Sequence, residues 1–213
     1  MNRLTNQADL DASLARLARL DPRLEPFVAG CQPIALRQQP RGLEGLLQIV
    51  LAQQVSVASA RAIWSRFLQA YPGCDLVALS GAGEEELRAC SLSRPKIRTV
   101  MKLMEALQSG FDLDGLVDLP EAEAHKRLVS LHGIGPWTAD IYMLFCLGSA
   151  DVFPAGDLAL QVAVAHVLGL EDRPGEKDLA RLAEDLWSPE RSAAAHLFWA
   201  IYRDLKAGRE GVL

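Results

Sequence analysis

Residues 128–139 read Leu-Val-Ser-Leu-His-Gly-Ile-Gly-Pro-Trp-Thr-Ala, and this stretch carries the most specific structural signal in the chain. Apolar residues at helical spacing lie on both sides of it, which predicts a tight turn between two helices. Gly133 and Gly135 permit backbone conformations and close approaches that other residues resist. Because Gly135 precedes a helix, the first-turn amides of that helix could bind an anion such as a phosphate. The alternative is an ordinary helical hairpin that has glycine at the end of its first helix.

The composition of the chain is that of a folded protein. It has 213 residues, of which 50% are hydrophobic and 23% charged, and this excludes a disordered chain. Helical spacing of apolar residues recurs almost throughout, and only residues 32–36 and 152–153 alternate in the manner of a short strand. We therefore expect an all-α fold of about ten short helices.

The charge and cysteine content limit the partners and cofactors. A net charge of −5 gives no general attraction to nucleic acid, so any such partner must be bound through local patches. The four cysteines are widely spaced, which predicts neither a zinc site nor an iron–sulfur cluster. No run approaches the roughly 20 apolar residues of a membrane-spanning helix. We expect a monomer without a membrane partner in the cytoplasm, in the cytosol or nucleoid of a bacterium.

Three further segments accompany the hairpin. Residues 151–158 read Asp-Val-Phe-Pro-Ala-Gly-Asp-Leu and introduce a helix at Asp157, whose plain role would be to cap that helix. Residues 51–60 read Leu-Ala-Gln-Gln-Val-Ser-Val-Ala-Ser-Ala, a polar loop that leads into a helix. Residues 92–96 read Leu-Ser-Arg-Pro-Lys, within a basic stretch from Arg88 to Lys102 that contains no acidic residue.

These segments, in this order, resemble the helix–hairpin–helix–GPD superfamily of DNA base-excision glycosylases, and within it the 3-methyladenine DNA glycosylase II branch of alkylation repair. The resemblance extends from about residue 42 to about residue 203. It implies a two-lobed helical fold with the active site in the cleft between the lobes. Residues 42–148 would form the lobe that ends in the hairpin. Residues 1–41 and 149–213 would form the lobe that carries the catalytic aspartate.

The resemblance assigns catalysis to Asp157. Cleavage of an N-glycosidic bond develops positive charge on the sugar, which a fixed carboxylate can stabilise while it helps a water to attack. In bifunctional relatives a lysine stands two residues after the second glycine, where this chain has Trp137, so the resemblance implies a monofunctional enzyme. Glycosylases extrude the target base into a pocket. The resemblance assigns Trp137 and Trp199 to this base pocket, with Tyr142 as a weaker candidate. The alternative for each ring is core packing.

The resemblance also implies a set of DNA contacts. Gln53, Gln54 and Ser56 would form the loop that fills the gap left by the extruded base, with Gln54 as the inserted residue; the alternative is a polar turn. The amides of Gly133, Gly135 and Thr138 would bind a phosphate. Arg94 and Lys96 would contact phosphates from the basic stretch, although a solvated helix face explains these charges equally well.

The resemblance further implies a monovalent cation, Na⁺ or K⁺, held by the backbone carbonyls of Val129, Leu131 and Gly133. No other cofactor is expected. The expected partner is double-stranded DNA that contains alkylated bases such as 3-methyladenine or 7-methylguanine. The alternative from another class is a non-catalytic helix–hairpin–helix DNA-binding protein, which would not need Asp157 and its aromatic neighbours.

Overall fold

A computed structural model of the chain describes residues 3–31 and 33–210. Met1, Asn2, Gln32 and residues 211–213 lie outside the described residues, and with them the outermost ends of the predicted 1–41 and 149–213 lobe and the start of the alternation at 32–36. The described part contains twelve α-helices: α1 (Gln7–Leu20), α2 (Glu25–Gly30), α3 (Gly42–Ala52), α4 (Val57–Ala70), α5 (Leu76–Ser80), α6 (Glu84–Ala89), α7 (Arg94–Gln108), α8 (Glu121–Ser130), α9 (Pro136–Phe145), α10 (Leu158–Leu168), α11 (Glu176–Trp187) and α12 (Arg191–Glu210).

The all-α prediction is confirmed. Among the described residues the only β pairing is an isolated bridge between Arg3 and Ser149, and neither short alternation forms a strand. At 152–153 the Val152 amide donates to Ser192 Oγ at 3.0 Å, so this amide is not available to pair with a neighbouring strand. No helix in the described part of the chain has the length and apolar character needed to cross a membrane.

The chain forms two compact units. One contains the described residues up to Gln38 together with those from Gly148, and the other contains Gln39–Leu147. We call them the terminal unit and the central unit. The terminal unit comprises α1, α2 and α10–α12, and α12 packs against both α10 and α1. The central unit comprises α3–α9.

An aromatic cluster forms part of the core of the terminal unit. The rings of Trp187 and Phe198 have centroids 4.7 Å apart, and Phe153 lies 5.4 Å from Trp187. The indole nitrogen of the fully buried Trp187 donates to Asp21 Oδ2 at 3.0 Å, which satisfies its one donor. This cluster joins α11 and α12 to the loop that carries Phe153 and, four residues later, Asp157.

Helix α3 is the core element of the central unit, and it packs against α4 and α9. Five of its apolar residues are almost completely buried: Leu46, Leu47, Ile49, Val50 and Leu51. Gly45 allows this close packing, because a Cβ atom at that position would lie 2.0 Å from the carbonyl oxygen of Pro40. Burial of α3 fixes the point at which the chain emerges at Gln53.

Candidate functional site

The turn between α8 and α9 uses its two glycines in different ways. Gly133 has φ +80°, and a Cβ there would lie 2.1 Å from Thr99 Oγ1 on α7. Gly135 has φ −86° and caps α9, and a Cβ there would meet no atom within 4 Å. Gly133 is therefore required for the turn to pack against α7. Gly135 instead leaves open space beside the first turn of α9.

The first turn of α9 offers backbone amides. Helical bonding begins with the Ala139 amide, which donates to the Gly135 carbonyl at 3.0 Å, so the Thr138 amide precedes the first hydrogen bond of the helix. The positive end of the helix dipole lies here as well, so the turn favours an anion. Thr138 is only 3% exposed, and its hydroxyl accepts a hydrogen bond from Gln53 inside the unit.

The loop at 53–56 is fixed at both ends. Gln53 Nε2 donates to Thr138 Oγ1 at 2.7 Å, which ties the start of the loop to α9. Ser56 Oγ accepts from the Ser59 amide at 3.1 Å and caps α4. Between them Gln54 is exposed and has φ +56°, a left-handed conformation that is costly for a residue with a side chain. The loop thus presents Gln54 in a strained and exposed position.

The two basic residues predicted to contact phosphate differ in their surroundings. Arg94 is exposed at the first position of α7. Lys96 donates through Nζ to the Leu51 carbonyl at 2.7 Å, at the end of α3, and partial burial lowers its pKa. The Lys96 ammonium therefore stabilises the last turn of α3, next to Gln53, and a phosphate contact would compete with this bond.

Tyr142 does not lie where a base pocket would need it. Its ring is 0% exposed, and its hydroxyl accepts a hydrogen bond from the Gly42 amide at 3.0 Å. Desolvation raises the pKa of the phenol far above its ordinary value. The assignment of Tyr142 to a base wall is wrong, because the ring belongs to the core of the central unit. Trp137, the second residue of α9, is half-buried.

The carbonyls predicted to hold a cation are compatible with that role. Val129 lies in the last turn of α8, whose carbonyls lack partners within the helix. The Leu131 carbonyl accepts from the Ile134 amide at 3.1 Å and keeps a second lone pair. Backbone carbonyls of this kind are suitable ligands for Na⁺ or K⁺. The described residues contain no cluster of three His, Cys, Asp or Glu side chains that could hold a metal.

In the terminal unit, Asp157 is a half-buried carboxylate held by backbone amides. It caps α10, and its Oδ1 accepts from the Ala159 amide at 2.9 Å and the Leu160 amide at 3.2 Å. Its own amide donates to the Pro154 carbonyl at 2.8 Å. Asp157 therefore caps α10, which is the structural role that the sequence predicts for it. Capping also orients the carboxylate rigidly, which an electrostatic role requires.

Asp151, the other acidic residue of this loop, has a structural function. It forms a two-point ion pair with Arg191, at 2.7 Å and 3.0 Å, and accepts from Ser188 Oγ at 2.8 Å. Burial alone would raise the pKa of Asp151, but the hydrogen bonds from Arg191 and Ser188 lower it overall. The pair anchors the loop to the start of α12.

Trp199 lies on α12 with 9% of its surface exposed, and its ring already has a cationic neighbour. The guanidinium carbon of Arg37 lies 5.5 Å from the centroid of the indole, within the range of a cation–π contact. Sequence reasoning missed Arg37. It belongs to an extended segment without periodicity, so only the folded unit shows that it meets α12.

Comparisons with known proteins find sequence relatives among DNA-3-methyladenine glycosylases. The chain is 28% identical to DNA-3-methyladenine glycosylase 1 of Schizosaccharomyces pombe over 191 residues, which is 83% of this chain and 79% of that protein. It spans 56% of a putative DNA-3-methyladenine glycosylase of Bacillus subtilis, at 25% identity.

Solved structures extend the comparison to the fold. A DNA-3-methyladenine glycosidase from Bacillus halodurans matches with a TM-score of 0.80 and 26% identity, covering 92% of this chain and 91% of that one. An 8-oxoguanine glycosylase/lyase from Clostridium acetobutylicum matches with a TM-score of 0.78 at 18% identity, covering 94% of this chain and 71% of that one, a likeness of fold alone.

The sequence model of the HhH-GPD superfamily base excision DNA repair proteins matches residues 47–189. This range includes the hairpin, the Gln53 loop and Asp157. The chain therefore belongs to the HhH-GPD superfamily of base excision DNA repair proteins.

Proposed function

We propose that this protein is a DNA glycosylase that removes alkylated bases from double-stranded DNA in base excision repair. The observation that carries the proposal is the rigidly capped carboxylate of Asp157, within the region that the family model matches. Support for alkylated bases comes from the relatives in Schizosaccharomyces pombe and Bacillus halodurans, which are both named for 3-methyladenine.

The proposed reaction is hydrolysis at C1′ of the damaged nucleotide. The bond from C1′ to the base nitrogen breaks, its electron pair leaves with the base, and positive charge develops on the sugar. The Asp157 carboxylate stabilises that charge, and its partial burial strengthens the interaction by excluding water. A water oxygen then bonds to C1′ and loses its proton, which leaves an abasic site.

The exposed loop at 53–56 suits the extrusion of a base. An extruded nucleotide leaves a gap in the stack, and a side chain that enters the gap slows the return of the base. Gln54 is exposed and held in a left-handed conformation, while Gln53 and Ser56 are bonded inside the unit. Strain of this kind is found at functional positions. We assign the insertion to Gln54 and aromatic contact with the extruded base to Trp137 and Trp199.

The hairpin is proposed to bind the DNA backbone. The amides of Gly135 and Thr138 would donate to a phosphate, and the carbonyls of Val129, Leu131 and Gly133 would hold Na⁺ or K⁺ beside it, where the ion adds positive charge. Affinity for an abasic duplex, measured at constant ionic strength, should fall when K⁺ is replaced by tetramethylammonium. Equal affinities would remove the ion from the proposal.

The substitution Asp157→Asn tests the catalytic assignment. Asparagine caps helices as well as aspartate does, so stability should change little. Base release from an alkylated duplex, corrected for spontaneous depurination, should fall by about 10²-fold or more because the stabilising charge is lost. Duplex affinity should remain. Asp185→Asn removes the same charge from an exposed position on α11 and serves as the control. If the wild-type protein binds duplexes and releases no base, the non-catalytic alternative is correct.

A further inference from the structure

A cavity in the terminal unit gathers positive charge around an aromatic ring. It has a volume of about 450 Å³ and is lined by Arg37, Trp199, Tyr202, Arg203, Lys206 and Ala207. Arg203 is held by its own contacts, since Nη1 donates to the Pro33 carbonyl at 3.2 Å and Nε pairs with Asp204 at 2.9 Å. Three of the six lining side chains are cationic, which is unusual for a pocket expected to receive a positively charged base.

Arg37 is fixed in this cavity through its backbone. His196 is buried, and burial lowers its pKa to about 4, so the imidazole is neutral. Its Nδ1 lies 2.8 Å from the Ser192 carbonyl, which can only accept, so Nδ1 carries the proton. Nε2 is then an acceptor, and the Arg37 amide donates to it at 3.4 Å. The ring of His196 also meets the Trp199 indole edge-on, at 6.1 Å between centroids.

The charge of Arg37 acts on the same region as Asp157. Burial and repulsion by Arg203 lower the pKa of Arg37, while the Asp157 carboxylate opposes that shift. An arginine remains protonated despite such a shift. The guanidinium is therefore a permanent positive charge that lies over Trp199 and interacts electrostatically with the proposed catalytic carboxylate.

The fixed positive charge of Arg37 beside Trp199 should affect the excision of two kinds of damaged base differently. Bases such as 7-methylguanine and 3-methyladenine are positively charged in DNA and leave as neutral molecules. Hypoxanthine and 1,N6-ethenoadenine are neutral in DNA, so the electron pair of the broken bond makes them anionic until they take up a proton from solvent. A nearby guanidinium repels the first kind before reaction and stabilises the negative charge that develops on the second.

We propose that Arg37 is a specificity-determining residue that shifts the preference of the enzyme towards bases that are neutral in DNA. The inference rests on the proposed function, in which Asp157 acts on the sugar and Trp199 contacts the extruded base. Arg37 does not exclude cationic lesions, which are good leaving groups without assistance. Arg37 lowers the ratio of the excision rate of cationic lesions to that of neutral lesions.

The test compares two substrates of different charge in one duplex sequence, 7-methylguanine and hypoxanthine, with the wild-type protein and three variants. In single-turnover assays Arg37→Gln should lower the rate for hypoxanthine relative to that for 7-methylguanine by about tenfold, the size expected for one partly screened charge. Arg37→Lys should keep most of the wild-type ratio. Arg19→Gln, an equal loss of charge from an exposed position on α1, should leave the ratio unchanged.

Equal effects of Arg37→Gln on both substrates would overturn the inference, as would Arg37→Lys behaving like Arg37→Gln. Thermal unfolding of each variant shows whether a loss of activity reflects misfolding, and the ratio of two substrates cancels any inactive fraction. Failure of the proposed function looks different. In that case the wild-type protein releases neither base, or Asp157→Asn is as active as the wild type on both.

Discussion

His125 Nε2 lies 3.3 Å from Asp140 Oδ1, and this contact joins α8 to α9 across the hairpin. The hydrogen bond that the imidazole donates to Asp140 raises the pKa of His125 above its ordinary value of 6.5, although partial burial opposes the shift. Neither residue belongs to the glycine motif. His125 lies on α8 and Asp140 on α9, the two helices that the motif connects. The hairpin is thus held by an ion pair whose charge depends on pH.

The contribution of the His125–Asp140 pair to stability should decrease as the pH rises through the raised pKa of His125. Folding favours the protonated imidazole, so the contribution is complete below the ordinary pKa and is lost above the folded-state pKa. Melting temperatures measured from pH 5.5 to pH 8.5 should therefore decline more steeply for the wild type than for His125→Gln over this interval. Asp140→Asn should flatten the profile in the same way. Parallel profiles for all three proteins would show that the pair does not contribute.

The two glycines of the hairpin should respond differently to alanine. Gly133→Ala places a side chain in a left-handed residue and against Thr99, and should lower the free energy of unfolding by about 1–3 kcal/mol. Gly135→Ala meets open space in an ordinary conformation, so the fold should be nearly unaffected. Denaturant unfolding measures both. Equal losses for the two variants would contradict the packing described for Gly133.

The hairpin was predictable because its signals are local. Glycine spacing, the proline at position 136 and the apolar faces on both sides act within a few residues, as does the Ser56 cap. The short helices α2 and α5 were missed, since five or six residues give too little periodicity to recognise. The roles of Tyr142 and Lys96 depend on partners distant in sequence, Gly42 and the Leu51 carbonyl.

Arg37 shows the same limit at the candidate site. Its position over Trp199 depends on the backbone bond from Arg37 to His196 and on the packing of α12, neither of which leaves a pattern near residue 37. Asp157 was found because the loop around it carries a recognisable motif. A motif identifies the residues that relatives share, whereas an arginine outside it becomes visible only in the folded unit.

Gln54→Gly should separate stability from activity. Glycine accepts the left-handed conformation without steric cost, which removes the strain at position 54. Because glycine also loses more conformational entropy on folding, the net gain in stability should be at most about 1 kcal/mol. Base release should become slower, because the side chain proposed to fill the gap is gone. Unfolding and single-turnover release are measured on one preparation, with Ala62→Gly, at an exposed position in the interior of α4, as a control that should only destabilise. Faster release by Gln54→Gly would exclude the insertion role.

The fold does not decide whether the protein also cleaves the DNA backbone, because a glycosylase/lyase matches it with a TM-score of 0.78. The deciding feature is the side chain at position 137. A lyase attacks C1′ with a lysine amine and forms a Schiff base, whereas Trp137 has no nucleophile. Lys126 is exposed on the preceding helix, and Lys96 donates to the Leu51 carbonyl.

Borohydride present during turnover should therefore trap no covalent adduct with the wild-type protein, and the product should be an intact strand with an abasic site. Trp137→Lys places an amine at the position that bifunctional relatives use, and this variant should yield a trapped adduct on an abasic duplex even if it excises bases poorly. An adduct formed by the wild type that persists in Lys126→Ala would mean that another lysine reaches the sugar. The protein would then combine the alkylation-repair sequence with lyase chemistry, and Asp157 would act beside an amine nucleophile instead of a water.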